Sequence, residues 1–476
     1  MIWLIVILSA FIVQTALILI LEFRNPGKAV AWLFILFLCP VFGIAIYYFV
    51  AHDYTKRKML RSRTPRLLRD VKERLRRQSA IVETPEGMHN PEFRHQERLF
   101  GLLTHGAAGP ITGNNRTQVF SAGETAFAAM LAEMEQARHH IHIEFYIFRG
   151  DAIGTAFQEV MIRKARAGVQ VRLVCDGLGS YRLQRSFVRK LREEGVEVYF
   201  FLPPFLAALK RRVNYRNHRK IVVVDGTVGF VGGLNVGDDY LGLYDKMGYW
   251  RDTHLQLEGD AVYDLQLAFL NDWHLASGQR IGDAALFSAQ GGQGKEQVQI
   301  MTSGPNQPRS TIQEMCFNAI AVAKRRIWIV SPYFIPDRSV YTALMTAALS
   351  GVDVKIIMPY HSDSRLVKLA SLSYVEELMR AGVEFYQYTK GFIHAKVMIV
   401  DDLLASVGTA NMDMRSFFSN FEMTALLYDA EPLRRLLRDF EQDVSDSLPI
   451  LLPEFVRRSR WQKGLELLAR LLSPLL

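Results

Sequence analysis

Two copies of one pattern of polar residues mark this sequence as a candidate for phosphoryl chemistry. His218 and Lys220 lie two residues apart at the start of a run rich in valine, and His394 and Lys396 repeat this spacing in the second half of the chain. Such a run is typical of a buried strand, and the period of a strand places the imidazole and the ammonium on one face. A nucleophile beside a fixed cation is what attack on an anionic phosphodiester requires.

Each run ends in an aspartate and is followed by a small-residue element. Asp225 and Asp401 close the two strands, and we expect them to brace the strand ends more than to take part in the chemistry. The elements that follow are Gly232-Gly233-Leu234-Asn235 and Gly408-Thr409-Ala410-Asn411. Residues this small allow backbone amides and an asparagine side chain to approach a ligand closely.

Repetition gives the pattern its weight. A single histidine beside a strand is more often structural, and a single match to HxKxxxxD is an ordinary chance hit. Two matches, each followed by a glycine and asparagine element at a similar distance, indicate function.

The sequence resembles the phospholipase D superfamily, whose signature is this duplicated HxKxxxxD motif. With the apolar segment ahead of its duplicated part, the chain resembles the bacterial cardiolipin synthases of that superfamily over nearly all of its length. The resemblance implies two tandem units packed around a pseudo-twofold axis, with both motifs in one cleft.

The resemblance also implies a division of labour between the two histidines. One attacks phosphorus to form a phosphohistidine, and the other protonates the departing alcohol and later acts as the base. We expect His218 to be the nucleophile and His394 the acid and base, although the near symmetry leaves the reverse assignment open. By the same correspondence, the phosphoryl oxygens would be held by Lys220, Lys396, Asn235 and Asn411, with Gly233 and Thr409 beside them.

Two carboxylates follow the histidines at comparable distances. Asp252 lies in Trp250-Arg251-Asp252-Thr253-His254, and Glu422 lies in Asn420-Phe421-Glu422. A carboxylate on one ring nitrogen fixes the orientation of an imidazole, so we expect these two to orient the histidines. A metal site is the other interpretation of clustered histidine and aspartate, but a lysine on the same strand face repels a divalent ion. We therefore expect no metal and no other cofactor.

The repeat extends to the surrounding elements. Helical patterns at 125–139 and 311–324 each precede an apolar strand, at 141–148 and 327–334, and further helix and strand pairs follow in both halves. This alternation predicts an α/β layered fold with a largely parallel sheet. We expect two tandem α/β/α units at 96–287 and 295–476, joined by the glycine- and glutamine-rich stretch 288–294, after a basic linker at 52–95.

The first 51 residues predict a transmembrane hairpin. Residues 2–21 and 29–50 are two apolar runs, each long enough to span a bilayer, and the first lacks the basic start and the cleavage site of a signal peptide. Between Lys56 and Arg77 there are eleven Lys or Arg against two acids. The positive-inside rule therefore places the two units on the cytoplasmic side of the bacterial cell membrane.

Composition favours anionic partners. The net charge is +9 and the apolar content is 49%, which suits acidic lipid surfaces or nucleic acid. We find no stripe of stacking aromatics among basic residues, so nucleic acid is disfavoured. The apolar and then basic stretch 200–212 and the amphipathic C-terminal segment from Arg457 would contact the membrane or pack on the protein. The cysteines Cys39, Cys175 and Cys316 are far apart and predict reduced thiols.

These features and the resemblance together favour a phosphatidyltransferase. It would join two phosphatidylglycerol molecules into cardiolipin and release glycerol, with no obligate protein partner. A membrane-anchored phospholipase D that transfers the phosphatidyl group to water is the alternative. A lipid-binding scaffold is disfavoured because both catalytic sets are intact.

Overall fold

The computed structural model describes residues 2–22, 26–39, 47, 66–104, 109–203, 215–243, 248–288 and 294–476. Four sequence-based expectations fall wholly or partly outside these residues. They concern the end of the second apolar run, the basic linker before residue 66, the stretch 204–212 and the join at 289–293. Among the helices of the described residues, none combines the length and the hydropathy needed to cross a membrane.

The strands range from two to twelve residues in length. In chain order they are β1 Ile111–Ala122, β2 His140–Phe145, β3 Gln170–Asp176, β4 Glu197–Phe201, β5 Ile221–Val224, β6 Val228–Gly232, β7 Tyr249–Gly259, β8 Glu296–Ser303, β9 Arg326–Val330, β10 Phe334–Ile335, β11 Asp353–Pro359, β12 Glu384–Tyr388, β13 Gly391–Ile393, β14 Val397–Val400, β15 Leu404–Gly408, β16 Met412–Asp413, β17 Glu422–Leu427 and β18 Ser447–Pro449.

The helices lie before, between and after these strands. They are α1 Ile2–Leu21, α2 Pro26–Leu38, α3 Arg66–Gln78, α4 Pro91–Arg94, α5 Glu97–Thr104, α6 Gly123–Gln136, α7 Ala152–Arg166, α8 Arg185–Glu193, α9 Ala261–Ser277, α10 Thr311–Val322, α11 Arg338–Leu349, α12 Arg365–Arg380, α13 Met414–Phe418, α14 Ala430–Ser445, α15 Leu452–Val456 and α16 Arg460–Leu471.

One 16-stranded sheet runs through both halves of the chain. Its order is β18-β12-β11-β9-β14-β15-β17-β8-β1-β7-β6-β5-β2-β3-β4, and β13 pairs with β7 outside this path. Corresponding strands appear in the same order outward from the centre, where β1 and β8 pair antiparallel. The duplication in the sequence is therefore a duplication of the sheet about a central seam.

The expectation of a largely parallel sheet is wrong. Parallel pairing is confined mainly to the strands joined through helices, β2-β3-β4 and β9-β11-β12. The strands that follow the histidines, β5 and β14, run antiparallel to both neighbours. The connections after β5 and β14 are tight turns, and a connection that short can only join antiparallel strands.

The sheet is buried on both faces. One core cluster packs α6, α7 and α8 against the N-terminal half, and a second packs α10, α11 and α12 against the C-terminal half. A third cluster is shared, because β5, β6 and β7 of the first half and β14, β15 and β17 of the second contribute to it together. This shared core, with α9 and α14 above it, holds the two histidine strands at fixed positions.

Candidate active site

The two histidines lie where the halves meet, just before β5 and β14. The backbone amide of His218 donates to the carbonyl of Phe421 at 2.9 Å, and that of His394 donates to the carbonyl of Arg251 at 2.7 Å. Each histidine is thereby tied to the residue that precedes a carboxylate of the opposite half. Both side chains are about nine-tenths buried.

The carboxylates orient the imidazoles crosswise. Nδ1 of His218 lies 3.1 and 3.0 Å from the two carboxylate oxygens of Glu422, and Nδ1 of His394 lies 2.8 Å from Oδ2 of Asp252. A carboxylate at Nδ1 accepts its proton and leaves Nε2 with the lone pair. The sequence identifies both carboxylates as orienting groups, and the structure adds that each serves the histidine of the other half.

Burial holds the histidines in their neutral form. Burial, together with the nearby Lys396, lowers the pKa of His394 to about 3 even though Asp252 opposes the change. Burial likewise lowers the pKa of His218, against the opposing effect of Glu422. Burial alone would raise the pKa of each carboxylate, but the histidine partners and the lysines hold both below their usual values. At pH 7 the site therefore combines neutral imidazoles with ionised carboxylates.

The two lysines contact the backbone of the histidines. The ammonium of Lys220 donates to the carbonyl of His218 at 2.7 Å, and that of Lys396 to the carbonyl of His394 at 2.5 Å. Burial lowers the pKa of Lys220 to about 7 and that of Lys396 to about 8. An arriving anion would stabilise the charged form of both ammonium groups.

Asp225 and Asp401 contact the backbone at the far ends of the histidine strands. The carboxylate of Asp225 accepts three backbone amides, from residues 138 to 140, at 2.8 to 2.9 Å. Asp401 accepts those of residues 324 to 326, each at 2.8 Å. Both adopt left-handed backbone, with φ of 52° and 50°. Each aspartate thus fixes the backbone at the start of a neighbouring strand, β2 for Asp225 and β9 for Asp401.

The two asparagines differ in how their amides are used. Asn235 is fully engaged within the fold, because its Oδ1 accepts from the amide of Ile147 at 3.0 Å and its Nδ2 donates to the hydroxyl of Tyr240 at 2.9 Å. Asn411 is only 6% exposed, and its Oδ1 has no hydrogen-bond partner among the described residues. Asn411 therefore presents a bare acceptor at the site.

Gly233 and Thr409 occupy matching positions and meet the two orienting carboxylates. A Cβ at Gly233 would lie 1.9 Å from Oδ1 of Asp252, so only glycine leaves room for that carboxylate. The hydroxyl of Thr409 donates to Oε2 of Glu422 at 2.5 Å. These contacts bear on the orientation of the histidines; direct contact of these two residues with substrate stays a prediction.

A cavity of about 380 Å³ opens onto both histidines. Both asparagines line it as well. Sequence reasoning missed the remainder of its wall, which is formed by Tyr146, Ile147, Arg216, Tyr240, Trp250, Tyr333, Ile335, Asp363, Val367, Asp413, Arg415, Asn420, Leu475 and Leu476. Proximity to the motifs along the chain could have flagged Arg216, which lies two residues before His218, and Arg415, which lies four after Asn411.

Among the described residues, no group of three or more His, Cys, Asp or Glu side chains is placed to hold a metal ion.

Comparison with known proteins places the chain in a family. Residues 130–264 and 316–444 match the family described as cardiolipin synthase, PLD-like domain. Cardiolipin synthase 2 of Bacillus anthracis is 42% identical, over 98% of this chain and 90% of its own length. Cardiolipin synthase of a Geobacillus species is also 42% identical, over 99% of this chain and 93% of its own.

The fold has a counterpart among solved structures. Phosphatidylserine synthase of Haemophilus influenzae superposes with a TM-score of 0.61 at 14% identity, over 80% of this chain and all of that chain. At this identity the likeness concerns the fold alone. The two matched segments contain both histidines, and full-length relatives share two fifths of the sequence. The chain therefore belongs to the cardiolipin synthase family of phospholipase D-like proteins.

Proposed function

We propose that this chain makes cardiolipin by transferring a phosphatidyl group from one phosphatidylglycerol to another. The observation that supports this most is the pair of neutral histidines in one cavity, each with Nδ1 on a carboxylate and each beside a lysine. Transfer in two steps needs two such groups, one to carry the phosphatidyl group and one to move protons. The curated relatives carry the same activity in their names.

In the first step, Nε2 of one histidine attacks the phosphorus of the donor. A phosphorus–nitrogen bond forms, the bond from phosphorus to the glycerol headgroup oxygen breaks, and the second histidine gives that oxygen its proton. In the second step, a hydroxyl of the second phosphatidylglycerol returns a proton to that histidine and attacks phosphorus. The histidine is then released, and the products are cardiolipin and glycerol.

We assign the attack to His218 and the proton transfers to His394. Both imidazoles are neutral in the free enzyme, so the acid must gain its proton as the anionic phosphodiester arrives. A negative charge beside an imidazole raises its pKa. Asp252, only 2.8 Å from Nδ1 of His394, would share the resulting positive charge.

Cationic side chains around the two histidines would hold the phosphoryl oxygens. Lys220 and Lys396 flank the histidines from below, while Arg216 and Arg415 line the cavity itself. Charge developing on the phosphoryl oxygens in the transition state is stabilised by such fixed groups. Asp225 and Asp401 support this arrangement from the backbone.

We also propose that the N-terminal segment anchors the enzyme as a two-span hairpin, with the catalytic halves on the cytoplasmic face. The support is the apolar sequence of residues 2–21 and 29–50, together with outward-facing apolar side chains on α1 such as Leu8, Ile12, Val13 and Ile20. An impermeant maleimide applied to intact cells tests the orientation on a Cys39→Ser background. Asn25→Cys should be labelled and Asp53→Cys should not; the opposite pattern would reverse the topology.

The decisive assay follows the lipid products of the purified, detergent-solubilised chain on labelled phosphatidylglycerol. Cardiolipin and glycerol in equal amounts are expected, and both should be lost in His218→Ala and in His394→Ala. Phosphatidic acid as the main product would make the enzyme a hydrolase instead.

Trapping of the phosphoenzyme separates the two roles. With a donor whose leaving group needs no protonation, His394→Ala should still accumulate labelled phosphatidyl-enzyme after a quench in alkaline detergent, which preserves a phosphorus–nitrogen bond, whereas His218→Ala should not. The reverse result would exchange the assignments.

A further inference from the structure

Charged side chains of both signs line the catalytic cavity. Arg216 and Arg415 lie close enough to Tyr146 that both act on the pKa of its hydroxyl, although burial is the larger effect and raises that pKa. Asp363 and Asp413 line the same cavity. Cations suit a phosphoryl group, whereas carboxylates repel one.

Asp363 and Asp413 lie near Lys396, the lysine of the second motif. Burial lowers the pKa of Lys396, and Asp413 and Asp363 are among the carboxylates that oppose this effect. The hydroxyl of Tyr333 donates to Oδ2 of Asp363 at 2.5 Å. Asp413 caps α13 through the amide of Ser416 at 2.7 Å and is itself only 4% exposed.

An unused acceptor is present on the same wall. Oδ1 of Asn411 is buried and has no hydrogen-bond partner among the described residues. Buried acceptors are nearly always satisfied in native proteins, so this oxygen can accept a hydrogen bond from a donor group of a bound ligand. An ionised phosphodiester offers only acceptors, whereas a hydroxyl offers a donor.

We propose that Asn411, Asp363 and Asp413 form a subsite for the hydroxyl groups of a polyol headgroup, the acceptor that resolves the phosphatidyl-enzyme. The proposal rests on the function proposed above and names the group that the second substrate presents. The headgroup of phosphatidylglycerol has two adjacent hydroxyls, which match two or more carbonyl or carboxylate oxygens on one wall. Tyr333 is a positioning residue that holds the carboxylate of Asp363. Such a subsite favours a polyol over a single water molecule.

The test compares Asp363→Asn with the wild-type enzyme in two readouts. One is the ratio of cardiolipin to phosphatidic acid formed from labelled phosphatidylglycerol, and the other is total headgroup release. Loss of one charge-assisted hydrogen bond should lower the ratio about tenfold, while total release stays near the wild-type value.

Two further variants complete the design. Tyr333→Phe keeps the shape of the side chain and should shift the ratio in the same direction by a smaller factor. Asp402→Asn, an exposed aspartate paired with Arg325 outside the cavity, should change neither readout and serves as the matched control.

Each outcome has a distinct meaning. An unchanged ratio in Asp363→Asn would overturn the subsite. Equal loss of cardiolipin and of total headgroup release would also overturn it, because the residue would then serve the first step. If the wild-type enzyme forms no cardiolipin, the proposed function fails before the subsite is tested.

Discussion

Glu422 of the C-terminal half holds His218 of the N-terminal half, with both carboxylate oxygens within 3.0 to 3.1 Å of Nδ1. The hydroxyl of Thr409 and the amide of Asn420 bind the same carboxylate at 2.5 and 3.1 Å. Three groups, the imidazole, the hydroxyl and the amide, thus hold the carboxylate of Glu422 in place against His218. The orientation of the first histidine is therefore determined by residues of the second half.

Replacing this carboxylate should impair catalysis without unfolding the protein. In Glu422→Gln the imidazole loses its charged acceptor and can adopt the wrong tautomer, so kcat should fall by about 10²-fold or more. Steady-state cardiolipin formation measures the loss, and a thermal melt checks the fold. Glu431→Gln, which removes an exposed partner of Arg434, is the matched control. A kcat equal to that of the control would mean that the histidine needs no orienting carboxylate.

Activity should decline on the alkaline side of neutrality. The pKa of Lys220 is lowered to about 7 and that of Lys396 to about 8, so both lose their charge in the free enzyme as the pH rises through these values. Since kcat/KM reports the ionisation of the free enzyme, it should fall above pH 7. Burial lowers the pKa of His218 as well, so protonation of this nucleophile should not limit kcat/KM just below neutrality.

The alkaline limb can be assigned by substitution. Lys220→Arg retains a charge at every accessible pH, so any residual activity should persist to higher pH than in the wild type. Lys396→Arg is the companion variant. An alkaline limb that is unchanged in both variants, or a kcat/KM that is level to pH 10, would show that neither lysine must be charged.

Gly233 should tolerate no side chain. A Cβ there would lie 1.9 Å from the carboxylate of Asp252, and its displacement would release His394. A misplacement of about 1 Å costs about 10²-fold in rate, so Gly233→Ala should lose that much kcat. At Gly464 nothing lies within 4 Å of the added Cβ, so Gly464→Ala is the control and should keep full activity. Equal activity in the two variants would contradict the close fit.

Asp401 should matter for stability more than for chemistry. It accepts three backbone amides at 2.8 Å and is buried, so Asp401→Ala should lower the free energy of unfolding by about 2 to 4 kcal/mol. Chemical denaturation measures this loss, and turnover per folded molecule should stay near that of the wild type. A variant of full stability with no turnover would instead place Asp401 in the chemistry.

The sequence was most informative about site residues whose chemistry follows from the residue type alone. The spacing of His218 and Lys220 and its repetition at His394 predict the two histidines that line the cavity, and the period of a strand explains why each lysine shares a face with its histidine. The pairing of Glu422 with His218 was not predictable, because it depends on how two halves meet rather than on any local pattern.

The cavity wall shows the same limit of sequence reasoning. Asp363 and Tyr333 lie outside both motifs, and only the parallel arrangement of β9 and β11 brings the ends of these strands together. The direction of most strands was also missed. The tight turn at Asp225 and Gly226, with φ of 52° and 68°, reverses the direction of the chain after β5. The alternation of helices and strands in the sequence had predicted mainly parallel strands.

The pairing of β1 with β8 has a consequence for motion. Backbone hydrogen bonds and a shared apolar core cross the boundary between the halves, so opening the cavity by rotating one half against the other would break the sheet and expose that core to water. This enzyme cannot work as a hinged clamp. Two lipids must therefore enter a rigid cavity through its opening. The rate of turnover should be limited by how side chains at that opening rearrange rather than by closure of domains.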